Sequence, residues 1–295
     1  MWYKMIDILA HYHFRGLLFV VACLAIHYSI HIFVADQFII PSSSMYPTLM
    51  AGDRVIVDKT IMGARIYTNY DFRKGGQRLE CIRLKGRRRL KHNDIVVFNF
   101  HRVGNWENGI NFEINNVWCK RILGLPGDSL TIQDGIYYCN NYDYELGIVA
   151  EQRKISHMPD SILTVENGKV TSWQGTHHWT IKEMGPYYVP RSGDRIQLTP
   201  KEATLYRHII RLETGQETTF DWEQNKVWIN GREASHYTFQ GNYYFLGGDN
   251  AVDSYDCRFL GVVPEDYIIG VVKMISYSKD KHTGEIRWDR FCKSL

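Results

Sequence analysis

Apolar positions along this chain first run together and then alternate. Residues 16–35 form a 20-residue stretch without Asp, Glu, Lys or Arg, about the length that crosses a bilayer with ~30 Å of hydrocarbon. It exceeds the ~7 to 15 apolar residues of a cleavable signal peptide, and Phe38-Ile39-Ile40-Pro41 follows it in place of a small-x-small cleavage site, so it reads as a retained transmembrane helix. Lys4 and Arg15 precede it, with Asp7 among them, and Asp36 follows. That asymmetry orients residues 1–15 to the cytoplasm and the chain beyond residue 35 to the opposite, outer side of the membrane. His27 and His31 share one helical face; in the outer half of the span their imidazoles reach interfacial water, a plainer reading than a metal or proton site.

Beyond the anchor the period shortens to that of strands, at residues 54–57, 95–98, 117–122, 136–138, 227–229, 243–246 and 268–275. Turn signals separate them, including Asp134-Gly135, Asn167-Gly168 and Asn230-Gly231. One helix is expected over 199–211, where Pro200 suits a first turn and Leu205, Ile209 and Ile210 give a partial apolar face. The expected fold is therefore mainly β behind one N-terminal helix.

Composition narrows this further. At 295 residues, 44% hydrophobic and 23% charged, collagen, coiled coil and wholesale disorder are excluded, and about two domains fit the length. The 19 Tyr, 13 Phe and 8 Trp favour strands and interfaces. A net charge of +3 implies no nucleic-acid partner by itself. Residues 73–91 hold nine Lys or Arg against one acid, Glu80, which reads either as a patch for anionic lipid or as an exposed basic loop without a specific partner. Nucleic acid fits poorly, because the topology keeps this loop outside the cytoplasm. Six cysteines include no CxxC pair, so zinc is not expected. Five of them lie beyond the anchor, an odd number that leaves at least one thiol free.

Three segments carry chemistry. Pro41-Ser42-Ser43-Ser44-Met45-Tyr46-Pro47 is a serine cluster stiffened by two prolines, alone no more than a loop. Trp118-Cys119-Lys120-Arg121-Ile122 places a lysine inside an apolar strand that runs into Leu125-Pro126-Gly127-Asp128. A serine hydroxyl needs a base, and a lysine desolvated by Trp118, Cys119 and Ile122 can be one; the plain alternative is a lysine that snorkels from a strand edge to an acid. Gly247-Gly248-Asp249-Asn250, then Ser254, Asp256 and Arg258, form a dense turn in which Asp256 and Arg258 can pair and Ser254 can offer its hydroxyl to an amine, although a structural turn has the same composition. No HExxH, GxSxG, Walker loop or Rossmann pattern occurs.

In this order the segments resemble the boxes of the bacterial type I signal peptidases: Ser44-Met45-Tyr46-Pro47-Thr48-Leu49, Gly52-Asp53-Arg54-Val55-Ile56-Val57-Asp58-Lys59, Lys120-Arg121-Ile122-Leu123-Gly124-Leu125-Pro126-Gly127-Asp128 and Gly248-Asp249-Asn250. The resemblance implies a membrane-anchored Ser-Lys endopeptidase without metal or other cofactor. In it Ser44 is the nucleophile, Lys120 the general base, Ser42 a side-chain oxyanion donor beside the Ser44 amide, Ser254 the residue that orients the lysine, and Asp256 with Arg258 a structural pair. It implies an antiparallel β catalytic domain over 36–130 and 241–275, an inserted β-rich domain over 131–240, and a tail over 276–295. Its substrates are exported precursors with signal peptides, which an extended pairing along Ile39, Ile40, Pro41 and Ser42 and along residues 117–120 (with Trp118 and Cys119) would bind. Lipid is the other expected partner, since Ser44 lies nine residues past Ala35, at most about 30 Å from the anchor's end. The chain departs from the family's pattern after Gly248-Asp249-Asn250: Ala251-Val252-Asp253 stand where Arg-Asp-Asn is usual, and Cys257 where Ser is common. That departure leaves a catalytically silent, membrane-tethered relative that holds exported chains as the competing expectation. A Ser-Lys self-cleaving repressor fits badly, because an anchor stands where its DNA-binding domain belongs.

Overall fold

A computed structural model describes residues 2–70, 79–99, 112–163, 174–281 and 283–295. The helix Trp2–Ser29 passes through one π turn, Ile30–Val34, straight into the strand Ala35–Ile39. Its His13–Val34 portion, 22 residues, is long and apolar enough to cross a membrane, and none of it is buried in the protein. The helix therefore ends one residue earlier than the uncharged run, and Ala35 belongs to the sheet. Where helix meets sheet, Lys59 Nζ donates to His31 O at 2.5 Å and to Asp36 Oδ2 at 3.0 Å, and the Lys59 amide donates to Val34 O. His31 Nδ1 lies 3.1 Å from Asp36 Oδ1, so this imidazole is engaged by Asp36 at the start of the sheet.

The main sheet is antiparallel. Its strands follow in space as Ala35–Ile39, Asp53–Asp58, Ile268–Ser278, Ile95–Asn99, Val117–Gly124, Tyr243–Gly247 and Val263–Pro264, with Lys293–Ser294 also on Ile268–Ser278. Among the described residues four smaller sheets carry the short strands, Ser129–Gln133 paired with Ile136–Cys139 and Met184–Tyr188 forming one of them. Asp134 and Gly135, at φ 47° and 80°, and Asn230 and Gly231, at φ 50° and 74°, form hairpin turns with two left-handed residues, which is why Asp or Asn followed by Gly stands there. Asn167-Gly168 lies outside the described residues. The helix Pro200–Thr214 opens on proline and ends at Gly215 in the left-handed conformation.

Two cores flank the Val117–Gly124 strand. The larger one gathers Val96, Phe98, Ile122 and Leu123 with Leu130, Tyr187, Tyr206 and Phe245; the smaller gathers Ile40, Met45, Leu49, Val55, Val57 and Val97, with Val117 and Cys119 packed on it. In the charged stretch up to residue 91, Lys85, Arg87, Arg89 and Lys91 are exposed, while Arg83 turns inward. Arg83 donates to the carbonyls of Gly63, Glu265 and Ile268, Arg87 pairs with Asp58, and Arg88 pairs with Asp94; Arg73, Lys74 and Arg78 lie outside the described residues. None of the six cysteines is joined in a disulfide.

Candidate active site

The strand Val117–Gly124 pairs with Ile95–Asn99 so that Lys120 lies opposite Val96, which carries its side chain into the interior. The amine is 5.7 Å from the Trp118 ring centroid and donates to Ser44 Oγ at 2.5 Å, across 76 residues of chain. Burial drives its pKa below the ordinary lysine value, against the opposing pull of the Asp256 carboxylate. The same burial pushes the neighbouring Cys119 thiol up to about 12, which leaves it protonated and unreactive.

Ser44 is held by its backbone. The Asn250 amide donates to Ser44 O at 3.1 Å and Asn250 Nδ2 to Ser43 O at 3.2 Å, while Met45 and Leu49, fully buried, pin the turn to the smaller core. Ser42 Oγ lies 3.4 Å from Ser44 Oγ, and Ser43 Oγ donates to Asp253 Oδ2 at 2.9 Å. A cavity of about 390 Å³ opens over these residues, lined on one wall by Ile40, Pro41, Val117, Trp118 and Cys119 and on the other by Asp253 and Tyr255. Of the residues expected to hold a substrate, Ile40, Pro41, Trp118 and Cys119 line it; Ile39 does not, and stands 53% exposed on the first strand.

The turn after Tyr243–Gly247 is built around Asp256. This carboxylate accepts from the Gly248 amide, from Ser254 Oγ at 2.8 Å and from Arg258 Nε and Nη2 at 2.8 and 2.9 Å, with both members of the ion pair essentially inaccessible. Burial alone would raise the Asp256 pKa; the Arg258 guanidinium and these donors hold it below the carboxylate range instead. Ser254 thus sits beside Gly248 and Ser44, but its hydroxyl is given to Asp256, and no hydrogen bond joins it to Lys120 Nζ.

Two features were not expected from the sequence. Arg121, the residue after the lysine, makes a fork to Asp249 at 2.6 and 2.7 Å and also reaches Thr48 Oγ1 and Asn93 O, so one guanidinium ties the lysine strand, the serine turn and the glycine turn together. The sequence holds a partial signal: Arg121 directly follows Lys120, and Asp249 follows Gly248 in the glycine turn. The second feature is apolar. Ala251, 2% exposed, packs with Ile155, Ile181 and Phe259, and Val252 lies against the same cluster. Ile155 belongs to the helix Val149–Ser156, whose polar sequence gave no amphipathic pattern to find. Where the resemblance has Arg-Asp, hydrophobic contact with that helix braces the turn.

A curled antiparallel sheet with a cleft beside a serine and a buried lysine, behind one apolar N-terminal helix, defines the class: a β-rich protein with a helix long enough to cross a membrane. The family model described as signal peptidase, peptidase S26, matches residues 13–277, and the chain belongs to that family of proteases. Among similar proteins are signal peptidase I of Buchnera aphidicola subsp. Acyrthosiphon pisum, 27% identical over 260 residues (86% of this chain, 71% of the relative), and those of Rickettsia akari, 28% identical over 263 residues (88% and 76%), and Rickettsia bellii, 26% identical over 254 residues (84% and 68%).

Proposed function

We propose that this chain is a membrane-anchored serine endopeptidase that removes signal peptides from exported precursors, with Ser44 as nucleophile and Lys120 as general base. The observation that carries the reading is the 2.5 Å contact between Lys120 Nζ and Ser44 Oγ in a buried setting that lowers the lysine's pKa. With the amine neutral, the hydroxyl proton passes along that contact to nitrogen as Oγ bonds to the scissile carbonyl carbon. The carbonyl oxygen takes the negative charge and accepts from the Ser44 amide and the Ser42 hydroxyl; one such donor is typically worth ~10² to 10³ in rate. The lysine ammonium then returns its proton to the departing amine. Water, deprotonated by the same neutral amine, releases the acyl chain from Oγ and restores the hydroxyl. Ser254 acts one step back, fixing Asp256 and the turn that walls the amine.

The anchor sets where this happens. The helix runs into the sheet without a linker and is clamped by Lys59, so the cleft is held at a fixed height beside the bilayer, on the outer face by the Lys4 and Arg15 asymmetry. A precursor held by its own apolar segment meets it in the membrane plane. In this reading residues 36–130 with 241–275 form the catalytic unit, and 131–240 an inserted unit whose Val149–Ser156 helix braces the catalytic turn.

Detergent-solubilised protein is expected to cleave a precursor peptide, and Ser44→Ala and Lys120→Ala to abolish cleavage with the melting transition retained. Wild-type turnover by purified Lys120→Ala would reject the assignment of the base. An inert wild type that still binds precursor would favour the silent relative.

A further inference from the structure

We propose that Asp253 forms an anionic subsite beside the nucleophile that takes a lysine or arginine side chain of the precursor, close to the scissile bond. The inference rests on the reading of Ser44 as nucleophile and concerns which substrates that site prefers.

Three carboxylates crowd the turn after Gly248, and two of them are neutralised. Asp249 is held in the fork of Arg121 and Asp256 in that of Arg258. Asp253 is different. It is exposed, its Oδ2 accepts from Ser43 Oγ, and among the described residues no cation lies within ion-pair distance of it. It is also the one carboxylate lining the cavity over Ser44. Consecutive Cα atoms are ~3.8 Å apart, so the carboxylate that Ser43 holds lies within about two residues' reach of a peptide bond seated on Ser44.

The surroundings suit an extended cation. Trp118 and Tyr255 line the same cavity with ring centroids 6.4 Å apart, offering aromatic faces to a lysine stem or a guanidinium plane. The charge is a feature of this chain, since the resemblance places an asparagine at this position. An acidic side chain in the same place meets repulsion from Asp253; the two amines beside the cavity, Lys120 and Lys281, are committed to Ser44 Oγ and Pro41 O. The discrimination is modest and sensitive to salt because the carboxylate is open to water.

The test is a set of precursor peptides that differ only in carrying Lys, Gln or Glu at one of the two positions on either side of the cut. For wild-type protein in detergent, kcat/KM is expected to favour Lys over Glu by about 10-fold at one of these positions at low ionic strength, shrinking toward parity near ~0.5 M salt. Asp253→Asn keeps an oxygen for Ser43 to donate to and removes the charge, so the Lys-to-Glu ratio is expected to fall to about one. Binding of the same peptides to Ser44→Ala, followed by fluorescence anisotropy, reads the subsite even if no peptide is cleaved; a failure of cleavage alone therefore counts against the assignment of Ser44 and not against the subsite. A wild-type ratio near one at all positions in both assays, or a ratio unchanged in Asp253→Asn, overturns the proposal.

Discussion

Replacing Lys120 by methionine should yield a protein that is more stable and inert. In the unfolded chain at pH 7 a lysine carries its proton; in the folded chain burial depresses the pKa, so folding must discharge the amine or bury it charged. Each pKa unit of depression costs about 1.4 kcal/mol, and the total at pH 7 is bounded by about 4 to 5 kcal/mol, the free energy of removing a proton from an unperturbed lysine there. Methionine has similar length and no ionisable group; against the gain stands the lost bond to Ser44 Oγ, about 1 kcal/mol. The net expectation is a stabilisation of about 1 to 3 kcal/mol, read as roughly 2 to 4 °C in Tm per kcal/mol. The pH dependence carries the sharper sign. Between the folded pKa and ~10.4 the unfolded wild type binds more protons than the folded one, so its stability rises with pH, while the methionine variant has no such term. Thermal melts of both proteins in one detergent should show the variant ahead at pH 7 and the gap narrowing toward pH 10. A variant that melts lower at pH 7, or a gap that ignores pH, would mean that the lysine is held as an ammonium paired with Asp256, and the neutral-base reasoning would fail. Activity of the wild type should rise through the same depressed pKa as pH increases.

Gly248→Ala places a Cβ 2.5 Å from Ser44 O and closer still to Ser254 Oγ; the turn must shift, and cleavage is expected to drop at least ~100-fold with about 1 to 3 kcal/mol of stability lost, so near-normal kcat/KM would refute the close packing of these turns. Ala251→Asp puts a carboxylate among Ile155, Ile181 and Phe259 without a partner, expected to cost about 2 to 4 kcal/mol in denaturant titration; a change under ~0.5 kcal/mol would show that the helix Val149–Ser156 does not brace this turn.

The extent to which the site could be read in advance varies with the kind of contact. Lys120 stood out because a charge interrupts an apolar strand, and Ser44 because two prolines bracket it; local patterning marks both. Ser254 was assigned to the lysine by the resemblance, yet its hydroxyl turns to Asp256, a choice between two acceptors that depends on ångström-scale placement. The strand Ala35–Ile39 was hidden because Asp36 and Gln37 stand together in its middle and leave no apolar alternation, and strands such as Arg65–Tyr67 and Arg195–Gln197, three residues each, are too short for a period to register. The basic stretch before Lys91 read as an exposed patch or loop, and Lys85, Arg87, Arg89 and Lys91 are exposed; only the folded chain shows that Arg83 turns inward to the carbonyls of Glu265 and Ile268.

Sequence by itself determined the long apolar N-terminal helix, the β character of the chain beyond it and the residue types able to do peptide-bond chemistry, because helix length, strand alternation and proline restriction are properties of neighbours along the chain. Only the tertiary structure decided that Lys120 is buried, that its nitrogen meets a hydroxyl 76 residues away, and that of three aspartates in one turn Asp253 alone lines the cleft, with no cation paired to it among the described residues. Desolvation and pairing are sums over atoms brought close by folding, and linear order does not encode those distances directly.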